Sequence, residues 1–221
     1  MTLPDDLKAI TPINFFQLSA DILQLPEGAG DHFPSLNKKN YRKYLLPDTS
    51  QLCGETVFAE MAIGWHFQGI EIFLCVQKPF KQSCYPNVES GDSVEVFFDT
   101  RDVKTSGFNT KFCHHFFFLP EGVDGVSRGE ITHFRTEDKH PLCNSEELKH
   151  KMVQDKGNYL MQIFIPHSCL VGYDPQSFNR LGFTYRINRS KGFSQHFSVV
   201  SEDFKIEQQP SLWASLTMCK K

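Results

Sequence analysis

The chain has 221 residues, of which 40% are hydrophobic and 22% charged, with a net charge of -3. Its basic residues cluster only in short pairs (Lys38–Lys39, Arg42–Lys43, Lys220–Lys221), which excludes the dense positive footprint of a nucleic-acid binder. No apolar run approaches the ~18–20 residues of a membrane helix, so no membrane insertion is expected.

The 21 Phe residues favour strands and broad flat cores. A β domain of ~200–250 residues commonly folds as one unit, and a chain this long buries a core without covalent staples. In chain order, "INFFQLSADILQL" fits a strand pair or a short helix. "PEGAGDHFP" is a loop by composition, and "LNKKNYRKYLLPD" is polar enough to wrap a sheet edge. "TVFAEMAIGWHFQGIEIFLCVQKPF" predicts two strands joined near Gln68-Gly69, the second ended by Pro79. "GDSVEVFFDTRD" alternates: Ser93, Glu95 and Phe97 share one face, and Val94, Val96 and Phe98 face a core.

"KFCHHFFFLP" predicts a strand closed by Pro120 and a Gly-rich loop through Gly129, and "EITHFRT" a further strand. "HKMVQDKGNYLMQIFIP" is a hairpin around Asp155 to Asn158. Strands over "LGFTYRIN", "FSQHFSVV" and "LWASLTM" complete the pattern. Runs of strands without interleaved long helices predict an all-β, antiparallel β-sandwich of jelly-roll or immunoglobulin-like architecture.

Seven Cys, at 53, 75, 84, 113, 143, 169 and 219, form no CxxC and no framework spacing. With no apolar leader in "MTLPDDLKAITP", the expectation is a reducing, cytoplasmic setting, export by another route being left open. There is no nucleophile elbow and no phosphate loop, so no catalytic residue is assigned and the chain is not expected to be an enzyme. Cys113-His114-His115 invites a metal, but neighbours on a strand point to opposite faces, and no metal is assigned. Asp92, Asp99 and Asp102 carry oxygen ligands suited to Ca²⁺ without EF-hand spacing. A strand-end turn capped by Asp is the plainer reading, so the cofactor expectation is none, with Ca²⁺ the one option.

The order of "TVFAEMAIGWHF", "IEIFLCVQKP", "DSVEVFFD", "VQDKGNYLMQIFIP", "RLGFTYRIN" and "LWASL" resembles the family 9 carbohydrate-binding module, a relative of the DOMON-like β-sandwiches, over residues 56 to 218. The resemblance divides the chain into a loop-rich arm, 1–55, packing on a sandwich, 56–221. It implies a non-catalytic module for a saccharide or similar polyol, gripped between two Trp rings and a set of polar side chains. Carried over residue by residue, it places Glu95, His115 and Arg186 in the ligand site. The family's Trp positions fall here near Glu89 and within "SEDFKIEQQP", where Phe204 is the sole aromatic, while Trp65 and Trp213 fit packing positions. That departure leaves a second reading open: a stand-alone protein-interaction or structural domain that has lost sugar binding.

Overall fold

A computed structural model describes residues 17–26, 28–29, 32–155, 157–201 and 204–220. Eleven strands join one continuous sheet: β1 Ser19–Gln24, β2 Ala59–His66, β3 Gly69–Val76, β4 Ser93–Asp99, β5 Cys113–Val123, β6 Val126–Glu130, β7 Lys149–Asp155, β8 Asn158–Pro166, β9 Arg180–Asn188, β10 Gln195–His196 and β11 Ala214–Cys219. The spatial order is β6-β5-β4-β9-β11-β1-β2-β3-β8-β7, with β10 added on β9. Among the described residues the only helix beyond single 3-10 turns is the one-turn α1, Ser50–Cys53. No helix among the described residues is long and apolar enough to cross a membrane.

The sheet curls so that one face of both arms encloses a common core. Val94, Val96 and Phe98 of β4 and Phe183, Tyr185 and Ile187 of β9 pack there with Met61, Ile63 and Trp65 of β2 and Met161, Ile163 and Ile165 of β8. The period-two reading of "SVEVFFD" therefore holds, since its Val and Phe face is the inward one. The β2–β3 hairpin also forms as expected. Gly69 sits at φ +146°, where a Cβ would stand 2.2 Å from the Ile165 carbonyl oxygen, so only glycine lets β8 approach.

Four expectations are corrected. The sheet is mixed rather than purely antiparallel, because β1 lies parallel to both β11 and β2. Residues 1–55 are not simply an arm: Ser19–Gln24 fills the centre of the sheet and bonds strands from both ends of the chain. The segment that follows does pack from outside, over the outward face of β2, β3 and β8. There Tyr41 stacks on Phe73 at 4.7 Å, and Glu71 Oε2 accepts the backbone N–H groups of Ser35 and Leu36 at 2.8 and 2.9 Å. The expected Gly-rich loop is instead a hairpin, β5 turning through Asp124-Gly125 into β6, and "EITHFRT" runs on as coil after Glu130. Finally, "FSQHFSVV" supplies only the two residues of β10. The early part of "INFFQLSADILQL", residues 13–16, lies outside the described residues.

Candidate functional site

The outward face of β4, β5 and β9 brings together the three residues carried over from the resemblance. Glu95 stands directly across the ladder from Arg186 on one side and Phe117 on the other, while Phe97 faces His115. Glu95 and His115 are thus diagonal neighbours, within reach of long side chains. Arg186 grips Glu95 with two parallel bonds, Nε to Oε1 at 2.9 Å and an NH2 nitrogen to Oε2 at 2.9 Å. His115 Nε2 lies 2.8 Å from Oε2, and Asn188 Nδ2 donates to Oε1 at 2.6 Å. The His115 ring rests on Phe97, centroids 4.2 Å apart.

All four polar residues are buried. Burial alone would raise the Glu95 carboxyl, but the His115 and Arg186 bonds and charges outweigh it and hold the pKa down to about 2. The Arg186 guanidinium is correspondingly raised: burial pulls it down, and Glu95 more than reverses that. The cluster is an ion network in which Glu95 accepts from four donors, leaving little of its carboxylate for a ligand.

Its opening to solvent is at Glu89. The Glu89 side chain is 58% exposed, and Arg186 donates to its Oε1 at 2.7 Å. In the same connection Tyr85 stacks on Phe117 at 5.8 Å and keeps an exposed edge. On the other flank Glu207 adds negative charge near Arg186, beside the turn where Phe204 packs. The two segments expected to supply Trp rings therefore border the cluster, but they carry Tyr85, Glu89, Phe204 and Glu207. Trp65 and Trp213 are each 1% exposed, and their indole N–H groups donate to backbone carbonyls, so both are packing residues. Sequence reading missed Tyr85 and Asn188; the register of β9 two residues past Arg186 was the available signal for Asn188.

The aspartates do not gather. Asp92 accepts from the backbone N–H groups of Lys81 and Ser190 and pairs with Arg189. Asp99 caps its own turn through the N–H groups of Arg101 and Val103, and Asp102 pairs with Arg180 and Lys104. Protein donors already occupy these carboxylates, so they do not form a ready Ca²⁺ cage. Elsewhere, His196 Nδ1 lies 2.5 Å from Glu55 Oε1 and its Nε2 lies 2.7 Å from Ser201 Oγ. The backbone N–H groups of His196 and Ser201 also bond within this trio, to Glu55 and to His196 Nε2. The three residues clasp β10 to the segment after α1. The backbone carbonyl of His133 accepts from Asn109.

Fold and site together define an all-β domain, a curled mixed sheet with a buried polar cluster on one outer face. More particularly, the fold is that of the family 9 carbohydrate-binding modules. One such module from Caldicellulosiruptor kristjanssonii, solved with cellotriose, superposes with a TM-score of 0.61 at 13% identity over 92% of this chain and 94% of that one. A structure with glucose from the same organism gives 0.61 at 11% identity, covering 92% and 96%. A protein of Bacteroides uniformis provisionally described as carbohydrate-binding gives 0.55 at 11% identity, covering 92% and 100%. The sequence matches no family model and no curated protein.

Proposed function

We propose that the chain is a non-catalytic carbohydrate-binding-like module whose ligand is a saccharide or similar polyol. The reading takes the two arms of the curled sheet as the leaves of a sandwich of jelly-roll or immunoglobulin-like kind. The observation that carries it is the Arg186 fork, fixed from beneath by Glu95 and extended outwards to the half-exposed carboxylate of Glu89. The fold it shares with modules solved with cellotriose and glucose supports that reading.

In this reading Glu95 and His115 hold the guanidinium in one orientation. Neighbouring sugar hydroxyls bridge Arg186 and Glu89, the planar fork and the carboxylate meeting two oxygens each. Tyr85 offers its ring to the C–H face of the sugar. A second reading, a protein-interaction or structural domain that has lost sugar binding, is favoured by the filled valences of Glu95 and the burial of both Trp rings.

Calorimetry of the full chain against glucose, cellotriose and a broad glycan panel separates the two. Tyr85→Ala and Glu89→Gln are the informative variants, since both side chains reach solvent and their loss leaves the buried pairs intact. Binding that weakens at least ~10-fold in either, with an unchanged melting temperature, supports the module reading. Absence of binding across the panel moves the function to a protein partner.

A further inference from the structure

The inward face of β5 carries a second polar cluster. His114, paired opposite Phe98, points towards the core and is fully buried. Glu130, the last residue of β6, sits opposite Phe116 on the same face. His140 arrives from the coil beyond β6, its ring centroid 4.4 Å from that of His114. Glu130 Oε1 lies 2.9 Å from His114 Nδ1 and 2.9 Å from His140 Nε2. Among the described residues this is the one group of three His, Cys, Asp or Glu side chains close enough to share a metal ion.

The proton inventory of this group is what suggests an ion. His140 Nδ1 lies 2.7 Å from the Lys111 carbonyl oxygen, which can only accept, so Nδ1 carries the hydrogen. A neutral His140 then turns the lone pair of Nε2 on Glu130 Oε1. That oxygen also receives the Thr132 hydroxyl at 2.7 Å, while Oε2 takes the Cys143 backbone N–H at 2.8 Å. The Nε2 of His114 is buried, faces the Val171 backbone and completes no well-formed hydrogen bond. With that nitrogen protonated towards Val171, Nδ1 also presents a lone pair. Two imidazole lone pairs and a carboxylate then converge on one point. The far nitrogen of His140 bonds a backbone carbonyl, the outer support that metal-bound histidines use, and that of His114 faces the Val171 backbone.

We propose that His114 Nδ1, His140 Nε2 and Glu130 Oε1 bind one first-row divalent ion of the Zn²⁺ class, contrary to the expectation of no metal. Two imidazole nitrogens suit such an ion and not Ca²⁺. Ligands at 2.0–2.1 Å around a tetrahedral ion stand ~3.3 Å apart, so the 2.9 Å contacts open by about 0.4 Å to admit it. The Thr132 hydroxyl or a water takes the fourth position. Burial of all three ligands makes the ion structural: it ties the coil carrying His140 and Cys143 to β5 and β6.

The test is metal analysis of the purified full chain, with Zn²⁺ and Co²⁺ added back after chelation. The expected result is about one ion per chain, visible tetrahedral Co²⁺ absorption bands and a melting temperature raised at least ~5 °C by Zn²⁺. The bands are lost in His140→Gln and kept in His115→Gln, whose imidazole lies on the opposite face. If His140→Gln fails to fold, the wild-type chain decides alone, since its Co²⁺ spectrum reports ligand number directly. No bands and no thermal shift in the wild type would overturn the proposal and leave His140 as a hydrogen-bond partner of Glu130. Bands that survive His140→Gln would overturn it too, by placing the ion elsewhere.

Discussion

Glu95→Gln is the most informative single change in the polar cluster. The substitution keeps shape and removes charge. Glu95 now accepts from Arg186 twice, from His115 and from Asn188. Gln offers one acceptor oxygen and turns an NH₂ donor on the remaining donors, leaving a guanidinium that is 5% exposed with Glu89 as its bonded acid and Glu207 as a nearby charge. Removing one partner of a buried, hydrogen-bonded ion pair costs about 3–5 kcal/mol. For a chain of this length each kcal/mol is ~2–4 °C, so the melting temperature falls by roughly 6–20 °C. Urea unfolding should move its midpoint at constant slope. Arg186→Leu alone should cost a similar amount, and the double change Glu95→Leu with Arg186→Leu much less than the sum, because it leaves no unpaired buried charge. A loss under ~1 kcal/mol for Glu95→Gln would refute the account of a desolvated, fully engaged carboxylate. A double variant as stable as the parent would show that stability does not require the ion pair, which strengthens the case that a ligand does.

Two further outcomes follow from the same geometry. Glu95 is held down to about 2, despite burial, by the bonds and charges of His115 and Arg186. A carboxyl lowered in the folded state stabilises above its ordinary value and loses that stabilisation as pH falls through the window from ~4.5 to ~2. Glu95 contributes on the order of 3 kcal/mol at neutral pH, so stability measured against pH should be level near neutrality and drop below ~4.5. Persistence of full stability at pH 3 would contradict that assignment. Gly69→Ala should cost at least about 2 kcal/mol, read by chemical unfolding, since φ +146° strains any Cβ and the Ile165 carbonyl stands 2.2 Å from it. Gly125→Ala makes the comparison: a positive φ of 81° with open space around the added carbon should cost less.

Much of the outer site was legible because it depends on period two. Glu95 lies between Val94 and Val96, Arg186 between Tyr185 and Ile187, and His115 between the buried His114 and Phe116, so alternation puts all three outside. Their meeting needs the β5-β4-β9 order, which alternation within single strands does not give; the family resemblance grouped the three residues in one site without it. The departures have local causes. Ser19–Gln24 is six residues with a mixed pattern, and its parallel partners are β11, far along the chain, and β2, so nothing nearby in sequence marks it as central. Tyr85 and Glu89 lie in the connection from β3 to β4, Glu89 on a single 3-10 turn, where no periodicity says which side chain faces the site. His140 comes from irregular coil ten residues past Glu130, and that spacing matches no metal motif.

The Cys113-His114-His115 segment shows how one strand serves two clusters. Adjacent side chains must diverge, and they do: His115 turns outwards to Glu95, and His114 inwards to Glu130. Thr132 joins the two. Its Oγ1 accepts the His115 backbone N–H at 2.7 Å and donates to Glu130 Oε1 at 2.7 Å. Beside it, the Ile131 N–H donates to the His115 carbonyl at 2.8 Å, so the backbone under the outer cluster is pinned by the segment that bears the inner one. Loosening the inner cluster therefore loosens the strand that aims His115 at Glu95. Thr132→Val, which removes the hydroxyl at nearly constant volume, should destabilise by about 1–3 kcal/mol through the two bonds lost. It should also lower the protection of the His115 amide against hydrogen exchange. Unchanged protection there would separate the two clusters and confine the role of Thr132 to Glu130.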